Sequence, residues 1–165
     1  MTARPGAGAV DWSVFPCALG DVVVRASDGA EVWLAGALVL REDAPAAVLF
    51  VAPDVPSDRA VYVRPRPSEE IAWLSPVASD AILVGSEPPS AIELEGTRFD
   101  RVRRLPLHVE RLGEGAPDVG ATAILGEYAS PTGEVVIVLV AAGVRAWRGS
   151  RLGAGEFDVW RGGKP

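Results

Sequence analysis

The feature that most constrains this chain is the lack of any helix-forming pattern. No stretch of ten or more residues places apolar side chains at positions i, i+3, i+4 and i+7 without a Gly or Pro inside it. Short runs rich in Val, Ile, Trp and Thr are found instead, and Gly, Pro, Asp and Ser separate them. Turns recur at about the 8–12-residue spacing that is typical of sandwiches and barrels. The sequence therefore predicts an all-β fold, sandwich or barrel-like, with little or no helix.

About twelve strands are predicted from these runs. The Asp28-Gly29 pair predicts a hairpin turn after the first strand. Gly36 predicts a bulge or bend inside the second run, and Pro106 predicts an interruption in the second half. The predicted strands span residues 21–25, 30–40, 46–51, 60–64, 71–74, 81–84, 91–95, 98–105, 107–112, 121–128, 134–141, 144–147 and 157–160.

The Pro-rich segment around Pro88 predicts a division into two related antiparallel β units that pack together. The first unit spans residues 16–87 and the second spans residues 88–165. Residues 1–15 are expected to form a flexible N-terminal arm. Three apolar residues are expected to fix the end of this arm to the core: Trp12, Val14 and Phe15.

Single copies of two reactive residue types limit the chemistry that is available. Cys17 is the one cysteine and His108 the one histidine. A lone Cys forms no intrachain disulfide, and one Cys with one His falls short of the three or four ligands of a zinc site. We therefore expect no metal, no cofactor and a reducing compartment.

The N-terminus lacks the apolar segment of a signal peptide, and the longest apolar runs are about half the ~20 residues of a spanning helix. A cytoplasmic protein without a transmembrane segment is predicted.

The net charge of −6 is unevenly distributed along the chain. Residues 1–95 carry 6 basic and 14 acidic side chains, a net charge of −8. Residues 96–165 carry 10 basic and 8 acidic side chains, a net charge of +2. Because phosphate neutralisation by Lys and Arg dominates nucleic-acid affinity, this acidic chain has no strong nucleic-acid signal.

Two groups of residues have the chemistry of a catalytic site. A Ser/His/Asp or Cys/His arrangement has to use His108, which shares a predicted strand face with Glu110. Glu93 and Glu95 lie two positions apart, so on a strand both carboxylates point to one face, as an acid/base pair or a cation site requires. A hydrolase of this kind requires a concave pocket around those side chains. His and Glu side chains on strands are more often solvated than catalytic, and a lone Cys such as Cys17 is more often buried and inert. We therefore predict no catalytic residues and no enzyme activity.

An Arg-rich surface is the sharpest feature of the second half. Its predicted members lie on neighbouring strands if this half forms one meander: Arg98, Arg104, Arg111, Arg145, Trp147, Arg148 and Arg151. With Trp147 and Trp160 nearby, such a surface suits an anion, a single nucleic-acid strand or an acidic protein. In the alternative interpretation, the Arg stems cover the sheet and pair with Glu110, Glu127 and Asp158.

Short motifs in both halves follow one another in a characteristic order. They are Leu19-Gly20-Asp21-Val22, Val32-Trp33-Leu34-Ala35-Gly36-Ala37-Leu38, Ala72-Trp73-Leu74, Ile92-Glu93-Leu94-Glu95-Gly96, Glu127-Tyr128 and Val144-Arg145-Ala146-Trp147-Arg148-Gly149. Over residues 16–161 this order resembles the bacterial family labelled domain of unknown function 4178. The resemblance implies a two-part β protein and a non-enzymatic accessory protein, of a kind often encoded beside small membrane proteins and polyamine-synthesis-like genes. The chain departs from the family at Leu49-Phe50, where the family carries a Trp.

These observations lead to two functional hypotheses. The first is a non-enzymatic adaptor or scaffold that binds protein partners through sheet edges and the Arg/Trp surface. The expected partners are other proteins, such as a membrane-associated complex, or further copies of the chain. The alternative is an anion- or nucleotide-binding β module that uses Arg145, Trp147 and Arg148.

Overall fold

The computed structural model describes residues 10–52, 59–78, 82 and 87–163. Within them the chain forms twelve strands and no α-helix, which confirms the predicted all-β class. None of these residues belongs to a helix with the length and hydrophobicity that a membrane crossing requires. The strands are β1 Val22–Arg25, β2 Glu31–Trp33, β3 Gly36–Arg41, β4 Pro45–Val51, β5 Ala60–Arg64, β6 Glu70–Val77, β7 Ala91–Leu94, β8 Thr97–Gly113, β9 Thr122–Ala129, β10 Glu134–Val140, β11 Val144–Arg151 and β12 Phe157–Trp160.

Eight of these strands close into an antiparallel barrel. Strands β3 to β6 form one meander, and strands β8 to β11 form another. The β6–β11 and β3–β8 pairings join the two meanders and close the ring. The barrel-like arrangement predicted from the sequence is thereby confirmed. The segment that contains the predicted boundary between residues 87 and 88 connects the two meanders.

Side chains from all eight strands fill the inside of the barrel. Alternate residues of a strand point to the same face, so Leu38 and Leu40 of β3 point inward, as do Ile137 and Leu139 of β10. Trp147 of β11 belongs to this interior core and is 6% exposed. The connection between β8 and β9 packs Ala116 against the same core and so covers part of one end.

A separate three-stranded sheet, in the order β12-β1-β2, covers the outer face of strands β3 to β6. Val23 of β1 and Val32 of β2 are buried against barrel residues such as Phe50 and Trp73. The segment before β1 packs into the same core, and its Trp12 ring lies 5.7 Å from that of Phe50, measured between centroids. The predicted contacts of Trp12, Val14 and Phe15 with the core are therefore present. Residues 1–9 of the predicted arm lie outside the described residues.

A third core lies on the opposite outer face of the barrel. Strand β7 and the first residues of β8 form a hairpin that covers β9, β10 and β11. Phe99 is fully buried there against Val136 and Val138 of β10. Tyr128 of β9 joins them and donates a hydrogen bond to the carbonyl oxygen of Pro89 at 2.6 Å. The barrel wall is thus apolar on both faces over much of its circumference.

The predicted strands differ from the structure at two places, and one predicted strand lies mostly outside the described residues. The run 30–40 divides into β2 and β3, because the chain leaves one sheet and enters the barrel just before Gly36, where a Cβ atom would overlap the carbonyl oxygen of Glu114. The predicted interruption at Pro106 is wrong, since β8 is continuous from Thr97 to Gly113. Pro106 is tolerated because it lies between the stretches of β8 that pair with β7 and with β3, where one edge of the strand is free. The predicted strand 81–84 lies outside the described residues except for Ile82, which is buried.

Candidate functional site

Charged side chains meet inside the barrel at one end and form the interior network. Its members come from five strands: Tyr62, Arg64, Glu70, Arg103, Glu127 and Arg151. Glu127, whose side chain is 6% exposed, accepts hydrogen bonds from the Tyr62 hydroxyl and from Nη2 of Arg103, the latter at 2.8 Å. Nη1 of Arg64 lies 3.7 Å from Oε1 of Glu127. The second carboxylate, Glu70, lies 3.1 Å from Arg64 and 3.0 Å from Arg151.

The environment of Glu127 fixes the protonation of its neighbours. Burial, reinforced by the charge of Glu127, raises the pKa of the Tyr62 hydroxyl well above its ordinary value, so Tyr62 remains a donor. Burial acts to lower the pKa of Arg103, but the carboxylate of Glu127 outweighs it and the pKa is raised. The adjoining cavity has a volume of about 10 Å³, which is room for about one water molecule. The interior network thus ties five strands together and leaves no space for a substrate beside Glu127.

His108 and Glu110 do not form the pair that a catalytic base requires. His108 is exposed on β8 and lines an open groove of about 910 Å³ together with Arg41 and Thr122. Glu110 instead accepts a hydrogen bond from Nε of Arg41 at 3.1 Å. His108 therefore lies in a concave region, but no carboxylate orients its ring among the described residues.

The other two candidate groups are also placed differently from a catalytic site. Glu93 and Glu95 do not share a strand face, because β7 ends at Leu94 and Glu95 lies in the hairpin turn with a φ of 49°, but both line one open cavity of about 460 Å³ together with Arg148. Both carboxylates are exposed. Cys17 is fully buried, and burial raises the pKa of its thiol, which keeps it protonated and a poor nucleophile. In the part of the chain that the structure describes, no three His, Cys, Asp or Glu side chains are grouped to hold a metal ion.

The predicted Arg/Trp surface is not a single surface. Trp147 is buried inside the barrel, so its indole face is unavailable for stacking at the surface. Arg151 belongs to the interior network. Arg148 lies over the Phe99 ring at 5.2 Å and forms ion pairs with Glu95 and Glu134 at 3.0 and 3.2 Å.

The remaining members of that predicted set divide into paired and unpaired residues. Arg98 forms an ion pair with Asp100 at 2.9 Å, and Arg104 forms one with Glu87 at 3.0 Å. Arg111 and Arg145 are exposed and have no hydrogen bond or ion pair to a described residue. Arg145 lines a cavity of about 280 Å³ at the covered end of the barrel, together with Arg59 and the edge of Trp147.

An exposed aromatic pair on the three-stranded sheet was not predicted. Trp33 is 44% exposed and Trp160 is 41% exposed. Val22 of β1 lies directly opposite both of them in the strand register, so the three side chains share the face that points away from the barrel. Val24 lies opposite Glu31 and Asp158 on the same face. These six residues are called the Trp face: Val22, Val24, Glu31, Trp33, Asp158 and Trp160.

Asp21 holds both edges of the Trp face in place. Its carboxylate is buried and accepts hydrogen bonds from the backbone N–H of Ala18 and of Gly162, each at 2.9 Å. Arg161 adds an ion pair at 3.3 Å, so the turn that follows Trp160 is tied to the start of β1. On the other side, the N–H of Leu34, the residue after Trp33, donates to the backbone carbonyl of Asp21 at 2.8 Å. Asp21, from the sequence motif Leu19-Gly20-Asp21-Val22, therefore anchors this sheet.

One sequence signal points to the Trp face. Strands β2 and β12 carry the same pattern of an acidic residue, Val and Trp, at Glu31-Val32-Trp33 and Asp158-Val159-Trp160. Since side chains alternate along a strand, each Trp shares a face with the acidic residue two positions earlier. The pattern is short, and only the pairing of both strands with β1 shows that the two copies lie side by side.

Comparison with known proteins gives no family for this chain: no family model, no curated protein and no solved structure matches it. The resemblance to the domain of unknown function 4178 family stays a prediction.

Proposed function

We propose that this protein is a non-enzymatic adaptor that binds a protein partner through the Trp face. The observation that carries the proposal is the exposure of Trp33 and Trp160 on one rigid sheet face. Trp is among the residues most enriched at the energetic centres of protein interfaces, because it offers a large apolar area at a small cost in conformational entropy. We further propose that the adaptor acts in a reducing compartment such as the cytoplasm, in keeping with its single, unpaired Cys17.

The rest of the described surface supports this choice of site. Only one other large hydrophobic side chain is exposed among the described residues, Val102, which lies at the register shift of β8. Most Arg residues of the predicted surface already have partners within the chain. The three-stranded sheet is the part of the molecule in which exposed aromatic area and a fixed backbone coincide.

Affinity purification from the native cells tests the proposal. The wild-type chain is compared with a Trp33→Ser/Trp160→Ser double variant and with a Val102→Ser control, and the recovered proteins are quantified by mass spectrometry. We expect at least one protein to be recovered with the wild type and the control and to be depleted at least tenfold with the double variant. Circular dichroism and thermal unfolding establish that all three chains fold alike. Equal recovery of every protein with the double variant would contradict the proposal.

A second candidate function is the binding of a small anion at the covered end of the barrel. Arg59 and Arg145 line the same cavity of about 280 Å³, and none of its described lining residues is acidic. Isothermal titration with inorganic phosphate and with a nucleoside monophosphate at low salt tests this function. We expect measurable heat that an Arg145→Ser variant abolishes. No heat with either ligand would exclude the second candidate and leave the adaptor proposal untouched.

A further inference from the structure

Two copies of one tripeptide pattern lie side by side on the Trp face. Glu31-Val32-Trp33 and Asp158-Val159-Trp160 flank β1, both run antiparallel to it, and both pair with it in the same register. Trp33 and Trp160 therefore stand on either side of Val22, and Glu31 and Asp158 stand on either side of Val24. The result is a row of two indoles beside a row of two carboxylates.

The strand register holds the two indoles apart, on either side of β1. Neighbouring strands lie about 4.8 Å apart, which places the Cα atoms of Trp33 and Trp160 about 10 Å apart. The two rings do not contact each other, whereas the close ring pairs of the described residues all involve Trp12. Val22 lies between Trp33 and Trp160 and is only 7% exposed, so the exposed apolar area of this row belongs to the two indoles. The carboxylate row follows two residues along each strand, at about 7 Å.

The carboxylates of the Trp face have no cationic partner among the residues that the structure describes. Glu31 and Asp158 are exposed, and neither has a hydrogen bond or ion pair to a described residue. The nearest basic side chain along the chain, Arg161, pairs with Asp21 instead. Two free carboxylates beside two exposed indoles form a surface that attracts a cation both by charge and by the ring quadrupoles.

From this geometry we infer that the Trp face recognises an arginine-bearing segment of the partner protein, an inference that rests on the proposed adaptor function. The guanidinium group stacks on indole faces and forms bidentate hydrogen bonds with carboxylates, and its apolar stem suits the exposed area of the two indoles. In the proposed contact the arginine side chain lies over the exposed indole area, within reach of Glu31 and Asp158. The net charge of −8 over residues 1–95 favours the approach of a basic segment.

A second copy of the chain is a poorer occupant of this surface. In a two-fold symmetric contact the same patch faces itself. Such a contact places four carboxylates, those of Glu31 and Asp158 from both copies, in one interface without a basic partner from the patch, and buried like charges are unfavourable. Charge complementarity therefore favours a different, basic protein.

Peptide binding measured by NMR on the full-length chain tests this inference. The probe is an acetylated and amidated nine-residue peptide with Arg at three alternate positions and Thr between them. Companion peptides carry Lys, Gln or Glu in place of Arg. The variants are Trp33→Ser/Trp160→Ser, Glu31→Gln/Asp158→Asn and a matched control, Glu93→Gln, which removes an exposed carboxylate from the hairpin on the other side of the barrel.

We expect the Arg peptide to shift the indole N–H signals of Trp33 and Trp160 and to bind at least tenfold more tightly than the Gln peptide. The Glu31→Gln/Asp158→Asn variant should weaken this binding at least fivefold, the Trp double variant at least as much, and Glu93→Gln less than twofold. Binding should also weaken as NaCl is added.

Three results would overturn the inference. The first is Trp-dependent binding with no preference for Arg over Gln, which removes the basic partner but leaves the adaptor proposal standing. The second is Arg-peptide binding that neither double variant weakens, because the attraction is then general to an acidic protein. The third is no binding of the Arg peptide while the Trp double variant still loses its partner in the affinity purification.

Discussion

Two regions of this molecule use aromatic and charged side chains in opposite ways. Inside the barrel, Trp147 is buried and the carboxylate of Glu127 is surrounded by Tyr62, Arg64 and Arg103. On the Trp face, the indoles of Trp33 and Trp160 are exposed and the neighbouring carboxylates have no partner among the described residues. Inside the barrel, the Trp and carboxylate side chains have packing or ion-pair partners within the chain. On the Trp face, the same residue types are exposed and can contact another molecule.

This difference separates residues that maintain the fold from residues that are free to bind. A buried charge that loses its partner destabilises the native state, so the interior network is constrained by stability. A half-exposed aromatic side chain contributes less to stability than a buried one, and two of them on one sheet face form the kind of apolar patch that marks an interaction surface. Substitutions in the two regions should therefore change different measured quantities.

Truncation of Trp147 should have the largest effect on stability. Trp147→Ala removes a buried indole from the interior core and leaves a cavity, at a cost of about 3–5 kcal/mol. Urea unfolding followed by circular dichroism measures the change in the free energy of unfolding. The matched truncations Trp33→Ala and Trp160→Ala serve as controls. A loss below about 1 kcal/mol for Trp147→Ala would show that Trp147 is not part of a packed interior.

Neutralising Glu127 should have the next largest effect. Glu127→Gln leaves Arg103 without the carboxylate that compensates its charge, and breaking such a buried pair costs about 3 kcal/mol or more. The control is Glu134→Gln, which removes one of the two carboxylates that pair with Arg148 in a more exposed position and should cost about 1 kcal/mol or less. If both variants lost the same free energy of unfolding, the interior network would have no special role.

Part of this contrast was predictable from the sequence, and part was not. The runs of Val and Ile are enough to predict strands, and Asp28-Gly29 is enough to predict a hairpin, because both signals are local. Closure of the barrel depends on the pairing of β3 with β8, whose residues are far apart in the chain. The register shift between Arg101 and Arg103 also decides which side chains of β8 point inward, and alternation within one run does not show this.

The sites of Trp147 and Trp160 illustrate the same limit. The sequence places both near a shared Arg surface, since they belong to consecutive strands. In the structure β11 is part of the barrel, whereas β12 leaves it and pairs with β1 at the far end of the chain. One Trp becomes interior and the other becomes exposed because of these long-range pairings.

Alkaline pH should weaken the fold through buried groups that resist ionisation. Burial raises the pKa of Cys17 from its ordinary 9.0, and burial raises that of Tyr128 from 10.0 to about 12. In the unfolded chain these groups lose their protons first, so stability is complete below pH 9 and is lost as pH rises. The free energy of unfolding should fall by about 1.4 kcal/mol per pH unit for each group.

Urea unfolding at pH 8, 9, 10 and 11 measures this fall, and Cys17→Ala should make it less steep between pH 9 and 10. A flat profile up to pH 11 would contradict the burial of these groups.

Substitution on the Trp face should have the smallest effect on stability. Trp33→Ser and Trp160→Ser should each lower the free energy of unfolding by about 1 kcal/mol, less than Trp147→Ala, because 44% and 41% of these side chains are exposed, against 6% for Trp147. The same urea titration measures this. A loss of several kcal/mol in either variant would mean that the indoles maintain the fold, and the contrast between the two regions would disappear.

Hydroxyl-radical footprinting tests most directly whether the Trp face is the surface that a partner covers. The purified chain and the same chain in an extract of its native cells are oxidised in parallel, and mass spectrometry compares the oxidation rates of individual residues. We expect Trp33 and Trp160 to be protected at least threefold in the extract, while exposed His108 and Val102 are oxidised at unchanged rates. Unchanged oxidation of both Trp residues, with protection at another surface, would contradict the proposed role of the Trp face.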